Sequence, residues 1–269
     1  MNLPRFYLPT LTPHSSLELS EGESHHLARV LRMQRGSEVE VFNGKGCRGV
    51  ATVIDVHKNA TVVKTAELES VSLKRATRIT LATSLPKGDR QKWLLEKLTE
   101  LGVDRVIPLE TERGVAQPTD NALERLERVA LEACKQSRNE WLLQIDAPVE
   151  WSELDRVLKP NTLKLIAHPY PVSKGMGTTE NSGQESGKNE SLSPLPVVVG
   201  MRALQQWVTQ VLPHEIVVAI GPEGGFTDDE VEYALQHEWL PWILTHNILR
   251  VETAVMMSAI LTIDYVTHP

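Results

Sequence analysis

Apolar and polar residues alternate with a period of two along residues 37–68, "SEVEVFNGKGCRGVATVIDVHKNATVVKTAEL", and Gly and Asn fall where the alternation breaks. Successive side chains of an extended chain point to opposite faces, so this pattern predicts strands with one buried face, joined by turns. Residues 1 to about 72 read mostly as strand. The exception is "SEGESHHLARVLRM", residues 20–33. There Leu27, Val30 and Leu31 fall at i, i+3 and i+4, and Ser20 with Glu23 fits a capping box, so a helix is expected. The product is a small β-barrel or β-roll with one helix.

From about residue 74 the rhythm changes to strand–helix alternation. Strands are expected over "RITLATSL", "DRVIPL", "LKLIAHP", "EIVVAIG" and "PWILT". Between them lie helix patterns. "DRQKWLLEKLTELG" ends at Gly102, "PTDNALERLERVALEACKQS" has Thr119 as its cap, and "RALQQWVTQVL" follows. "TDDEVEYALQHE" opens on a Thr227–Glu230 capping box, and "RVETAVMMSAILTIDYV" is a long final helix. Such alternation predicts an α/β fold, a largely parallel sheet covered by helices. Residues 171–196, "PVSKGMGTTENSGQESGKNESLSPLP", have few large apolar side chains to offset their ordering entropy, and read as a disordered surface insertion.

Composition narrows the class. Hydrophobic residues make up 41% of the 269, enough for a substantial core. No apolar run approaches the roughly 18 residues of a membrane span, and the first residues lack a signal-peptide pattern. Cys47 and Cys134 match no metal or redox spacing, so no metal is expected, and a reduced, cytoplasmic protein is. The net charge is −7, but it is unevenly spread. Residues 74–92 hold six basic side chains and one acid, Asp89, whereas residues 203–269 hold nine acids and one basic side chain, Arg250. A polyanion would meet the former and not the latter.

That asymmetry bears on "AIGPEGGFTDDE", residues 219–230. A glycine turn between a strand and a helix often cradles phosphate on backbone N–H groups. Here Glu223 sits inside the turn and Asp228, Asp229 and Glu230 fill the first helical turn, where they already complement the dipole. The pattern lacks the spacing of a dinucleotide loop and the lysine of a P-loop. It suits a neutral or cationic ligand that approaches the backbone closely. Two further candidates stand at strand ends, "IAHP" with His168 and "LTHNILRVETA" with Asn247, Arg250, Glu252 and Thr253.

"IGPEGGFTDDE" followed by "ILRVETA" resembles the RsmE-type ribosomal small-subunit (16S) RNA (uracil-N3) methyltransferases of the knotted SPOUT class. "HHLARVLRMQRGSEVEVFNGKG" is similar to their PUA-like RNA-binding domain, and residues 87–115 and 128–139 are similar to their central segments. The resemblance implies a PUA-like domain over 1–72 and a trefoil-knot methyltransferase domain over 73–269, interrupted at 171–196. It also implies S-adenosyl-L-methionine as cofactor, 16S rRNA in a small-subunit particle as substrate, and a homodimer as active unit. A sulfonium cation without phosphate is a ligand that an acidic loop can accept. Two departures stand out. The family commonly has Gly-x-Arg before "ILR", where this chain has Thr245, His246 and Asn247, and "ACKQSRN" lacks a Gly often found before the Arg.

By that resemblance three loops wrap the cofactor. The first holds Ala167 and His168, the second Ile220, Gly221, Pro222, Glu223, Gly224 and Gly225, and the third Thr245, Asn247, Ile248 and Leu249, with Thr253 beyond. Uracil N3 carries a proton that must leave. Arg250 is expected to support the anionic base, and Glu252 or His246 to take the proton. RNA is expected on His25 or His26, Arg29 and Arg32 of the first helix, on Lys87, Arg90 and Lys92, and on Arg138. Two rival readings remain. A nucleotide-dependent enzyme should show a basic phosphate loop, and a non-catalytic RNA-binding or assembly module has no need of a ligand loop.

Overall fold

A computed structural model describes residues 3–72, 75–114, 118–168, 198–199 and 213–268. The 171–196 insertion and the helix expected over 202–212 lie outside the described residues. The chain packs as two compact units, the first formed by Met1–Arg78, Lys87–Val106 and Pro118–Ala147, the second by Ile79–Pro86, Ile107–Gln117 and Pro148–Pro269.

In the first unit the period-two alternation becomes β1 (Arg5–Tyr7), β2 (Ser16–Glu18), β3 (Glu38–Phe42), β4 (Cys47–Asp55) and β5 (Val62–Ser70). They form one sheet in the order β1-β3-β4-β5-β2. Val39 pairs with Ala51 and Val53 with Val63, so all four bury on one face beside Phe6, Leu19 and Leu27. The helix of this region is α1 (Glu21–His25), which continues as a single π turn, His26–Val30. Leu31 N–H reaches back to the His26 carbonyl at 3.0 Å, five residues earlier. That wider turn breaks the expected stripe: Leu27 is buried, whereas Val30 and Leu31 are exposed. Arg32 lies beyond the helix at φ 54°, so Arg29 and Arg32 do not share a helical face as expected. Half of the expected capping box is present. Ser20 Oγ accepts from Glu23 N–H, but the Glu23 carboxylate holds the buried Lys135 ammonium at 3.0 Å instead.

Lys135 belongs to α3 (Asp120–Ser137), which packs on α2 (Asp89–Leu101). Gly102 ends α2 in the left-handed conformation, as its position predicts. Thr119 occupies the α3 cap position, but its side chain makes no capping bond. Cys134 of α3 is fully buried, and its thiol donates to the Asn139 carbonyl at 3.1 Å. Burial pushes that thiol up to about 11, against the pull of Arg5. Only the thiolate alkylates readily. Native protein in iodoacetamide at pH 8 is therefore expected to label at half-buried Cys47 well before Cys134. Labelling of Cys134 at the rate of a free thiol would contradict this.

The second sheet comprises β6 (Arg78–Thr83), β7 (Arg105–Glu110), β8 (Gln144–Ile145), β9 (Val149–Glu150), β10 (Thr162–Ala167), β11 (Val198–Val199), β12 (Glu215–Ile220) and β13 (Leu240–Ile243). Its order is β11-β13-β10-β12-β6-β7-β8, with β9 also on β7. The short β8 and β9 and the one-turn α4 (Leu154–Val157) carry too little periodicity to be predicted. β10 runs parallel to both β12 and β13. Every residue of β12 is buried, as a central strand covered on both faces requires. Val217, Ala219 and Ile166 pack with Trp151, Phe226, Trp239 and Val231. Helix α5 (Asp228–Gln236) starts on a complete Thr227–Glu230 capping box, and α6 (Val251–Thr267) is the long final helix. No described helix is long and apolar enough to cross a membrane.

Candidate active site

The carboxyl ends of three parallel strands meet. Ala167 pairs with Ile220 and also with Trp242, and His168 N–H donates to the Trp242 carbonyl at 3.1 Å. Open α/β sheets bind ligands outside such strand ends. A cleft of about 390 Å³ opens there, within the usual range for a small-molecule site.

Its floor is the glycine loop. Gly225 N–H returns to the Pro222 carbonyl at 2.8 Å, and Gly225 then takes φ 68°, a conformation that side chains resist. A Cβ on Gly221 would lie 3.1 Å from the Phe226 ring, and that ring is held at 4.9 Å from Trp151. A Cβ on Gly224 would lie 3.3 Å from the Arg113 side chain. Each of the three glycines thus has its own reason.

The expected cofactor residues converge. Ala167 and His168, the loop from Ile220 to Gly225, and Thr245, Asn247, Ile248 and Leu249 all line the cleft. Thr253, exposed on the first turn of α6, does not line it. Nor do Arg250 and Glu252. Arg250 is exposed at the N-cap of α6 without a capping bond, and Glu252 is buried, while their neighbours Leu249 and Val251 reach the cleft. Proximity in sequence does not carry these two side chains into the lining. Trp242, Leu244, Val251 and Ala254 add apolar wall, and Glu223 and Asp228 add negative charge.

Arg113 lines the cleft as well, with no sequence signal for it. It lies in the segment 87–115 that carried the resemblance, but nothing local gave it a role. Its guanidinium donates through Nη1 to the Gly224 carbonyl at 3.1 Å. The turn that presents it is fixed twice. Gly114 N–H returns to the Thr111 carbonyl at 2.9 Å, and Glu112 N–H donates to Glu230 Oε1 at 2.9 Å. Glu230 Oε2 accepts from Thr227 N–H at 2.8 Å. One buried carboxylate therefore ties the Thr111–Gly114 turn to the end of the glycine loop.

The expected RNA residues fall in the first unit. His25, Arg29, Arg32, Lys87 and Arg90 are exposed, and Lys92 is half-exposed beside Asp89 at 3.3 Å. Arg125 and Arg128 of α3, not anticipated, share a groove with Lys92 and Gly88. Arg138 is half-occupied: it pairs with Glu40 at 2.9 Å and donates to the Leu3 carbonyl at 3.3 Å. It stands at φ 56° as the C-cap of α3, the place where helices favour glycine, which is how the missing Gly of "ACKQSRN" shows itself. No cluster of metal-ligating side chains occurs among the described residues.

Residues 73–262 match the family described as RNA methyltransferase domain, and residues 19–72 that described as RNA methyltransferase PUA domain. A ribosomal RNA small subunit methyltransferase E from Synechocystis is 31% identical over 242 residues, covering 89% of this chain and 70% of that one. The protein of that name from Neisseria gonorrhoeae, solved bound to S-adenosyl methionine, superposes with a TM-score of 0.74 at 25% identity, covering 96% of each chain. A Legionella pneumophila chain solved with bound SAM superposes with a TM-score of 0.76 at 27% identity, covering 98% of each.

Proposed function

The chain belongs to the ribosomal RNA small subunit methyltransferase E family, and we propose that it transfers a methyl group from S-adenosylmethionine to N3 of a uracil in small-subunit 16S rRNA. The observation that carries this is the cleft at the ends of β10, β12 and β13, whose glycine loop is acidic. Its chemistry fits the cofactor. Glu223 and Asp228 favour a cation and would repel phosphate, Ile220, Trp242, Leu249 and Val251 suit an apolar ring, and exposed backbone at Gly224 permits close approach.

The cofactor supplies an electrophilic methyl group. The chain's residues position and exclude water, which is most of what such a displacement needs. Ala167–His168, Ile220–Gly225 and Thr245–Leu249 form three sides of the holding site. His246, exposed between the cleft-lining Thr245 and Asn247, is the group we assign to the departing N3 proton. Arg250, exposed at the rim, we assign to the incoming nucleotide. Calorimetric titration tests the cofactor directly: S-adenosylmethionine should bind, and ATP and NAD should not. Binding of ATP in its place would favour a nucleotide-dependent enzyme.

The RNA path we place on the first unit, along Arg29 and the groove of Lys92, Arg125 and Arg128. Lysine and arginine contacts to phosphate release counterions, so Arg29→Ala and Lys92→Ala should each weaken particle binding and reduce the salt slope by about one. Cofactor affinity should stay unchanged. An unaltered salt slope in both variants would remove these residues from the path. The working unit we take to be two copies of the chain in the cytoplasm. Ile260 of α6 is exposed, and Met256 and Ile263, on the same helical face, are half-buried. Ile260→Asp should therefore yield monomers in light scattering.

A further inference from the structure

We infer that Arg113 is the cation that faces the reacting base, and this rests on the uracil-N3 reading above. Among the described residues it is the one Lys or Arg that lines the cleft. The guanidinium is exposed and anchored at a single point, Nη1 on the Gly224 carbonyl. Its remaining N–H groups have no partner among the described residues. An arginine held by one bond at the mouth of a ligand cleft presents a planar set of donors to whatever enters.

What enters must become anionic. The N3 proton passes to a base, the electron pair on N3 forms the bond to the methyl carbon, and the carbon–sulfur bond breaks with its pair left on sulfur as a neutral thioether. As the proton leaves, negative charge spreads over N3 and the flanking O2 and O4 carbonyls. A guanidinium beside one carbonyl favours that charge and leaves N3 free to attack. Around it the cleft is acidic, with Glu223 and Asp228, so without Arg113 the developing anion would meet like charge. The same acids favour a sulfonium. Among its described residues the cleft thus holds one cation for the acceptor and carboxylates for the donor.

Placement is rigid at its base. Glu230 accepts from both Glu112 N–H and Thr227 N–H, so the turn carrying Arg113 moves with the glycine loop. Preorganised donors of this kind contribute on the order of 100-fold or more to rate.

The test uses the full-length protein with Arg113→Ala and Arg113→Lys. Cofactor affinity is measured by calorimetry, affinity for unmethylated small-subunit particles by filter binding, and single-turnover transfer across a range of pH. For Arg113→Ala, both affinities should stay within a few-fold of wild type, and the rate near neutral pH should fall about 100-fold or more. The deficit should shrink as pH rises, because an uracil that ionises in solution needs less help, and Arg113→Lys should recover part of the rate. A parallel loss of cofactor affinity would make Arg113 a clamp on the glycine loop and overturn this role. So would a rate deficit of constant size at every pH. Should wild-type protein place the methyl group on an atom other than uridine N3, the reading beneath fails, and this role with it. Methyl on N3 with a deficit that does not change with pH removes the role alone.

Discussion

Gly221→Val should raise the dissociation constant for S-adenosylmethionine by about 100-fold while leaving a folded protein. The Cβ of any side chain there would meet the Phe226 ring at 3.1 Å and the Phe226 backbone nitrogen at 3.2 Å. Neither can yield easily, since Phe226 is buried and packed on Trp151 at 4.9 Å. Overpacking of this kind costs roughly 1–3 kcal/mol, and about 1.4 kcal/mol is tenfold in affinity. The strain falls on the loop that floors the cleft, so binding bears it. Two neighbours serve as controls with different causes. Gly225→Ala meets open space but must adopt φ 68°, so it should lose about 1 kcal/mol of stability with a smaller change in binding. Gly224→Val meets Arg113 at its Cβ, 3.3 Å away, and should displace that side chain. Wild-type affinity in Gly221→Val, measured by calorimetry, would remove the loop from the cofactor site.

The largest loss of stability is expected in the first unit, from Glu140→Ala. Arg5 is buried, with its guanidinium 4.0 Å over the Phe42 ring, and it pairs with both Glu140 and Glu40. Arg48 holds the other oxygen of Glu140 at 3.1 Å. Burial raises the Glu140 carboxyl above its usual range, while Arg5 and Arg48 pull it down. Without Glu140 the buried Arg5 keeps Glu40 alone, and loss of one partner of a buried ion pair costs up to about 3–5 kcal/mol. In a chain of this size each kcal/mol lowers the melting temperature by about 2–4 °C, so a fall of roughly 10 °C is expected. Glu69→Ala, which breaks an exposed pair with Arg48, should change it by little. Equal shifts in the two variants would contradict the buried-pair account.

What could be read in advance was what neighbours in the chain decide. The strands β3 to β5 follow from period-two alternation, α2 from its stripe and Gly102, and α5 from Thr227 and Glu230, because each signal and its effect lie within one element. The glycine loop was readable for the same reason, including its poor fit to phosphate. Errors came where a distant part of the chain decides. Arg113 reaches Gly224 across 111 positions because β7 and β12 end on the same side of the sheet. No local pattern announces that meeting. Arg250 drew attention as the lone cation of an acidic segment; it stands exposed at the N-cap position of α6, and it is its two neighbours that line the cleft. Arg138 was expected on the RNA path, and its pairing with Glu40, 98 residues away, could not be read from neighbours in the chain. The π turn at His26–Val30 could not be read either, since a helical stripe looks the same until one residue too many enters the turn.

The central claim is that the cleft at the ends of β10, β12 and β13 carries a methyl group to N3 of uridine in 16S rRNA. It is tested most directly by incubating purified protein with methyl-labelled S-adenosylmethionine and unmethylated small-subunit particles, then digesting the RNA to nucleosides for mass spectrometry. The account predicts label in N3-methyluridine and in no other nucleoside. Label on another base or on ribose, or particles left unlabelled by a protein that binds both substrates, would contradict it.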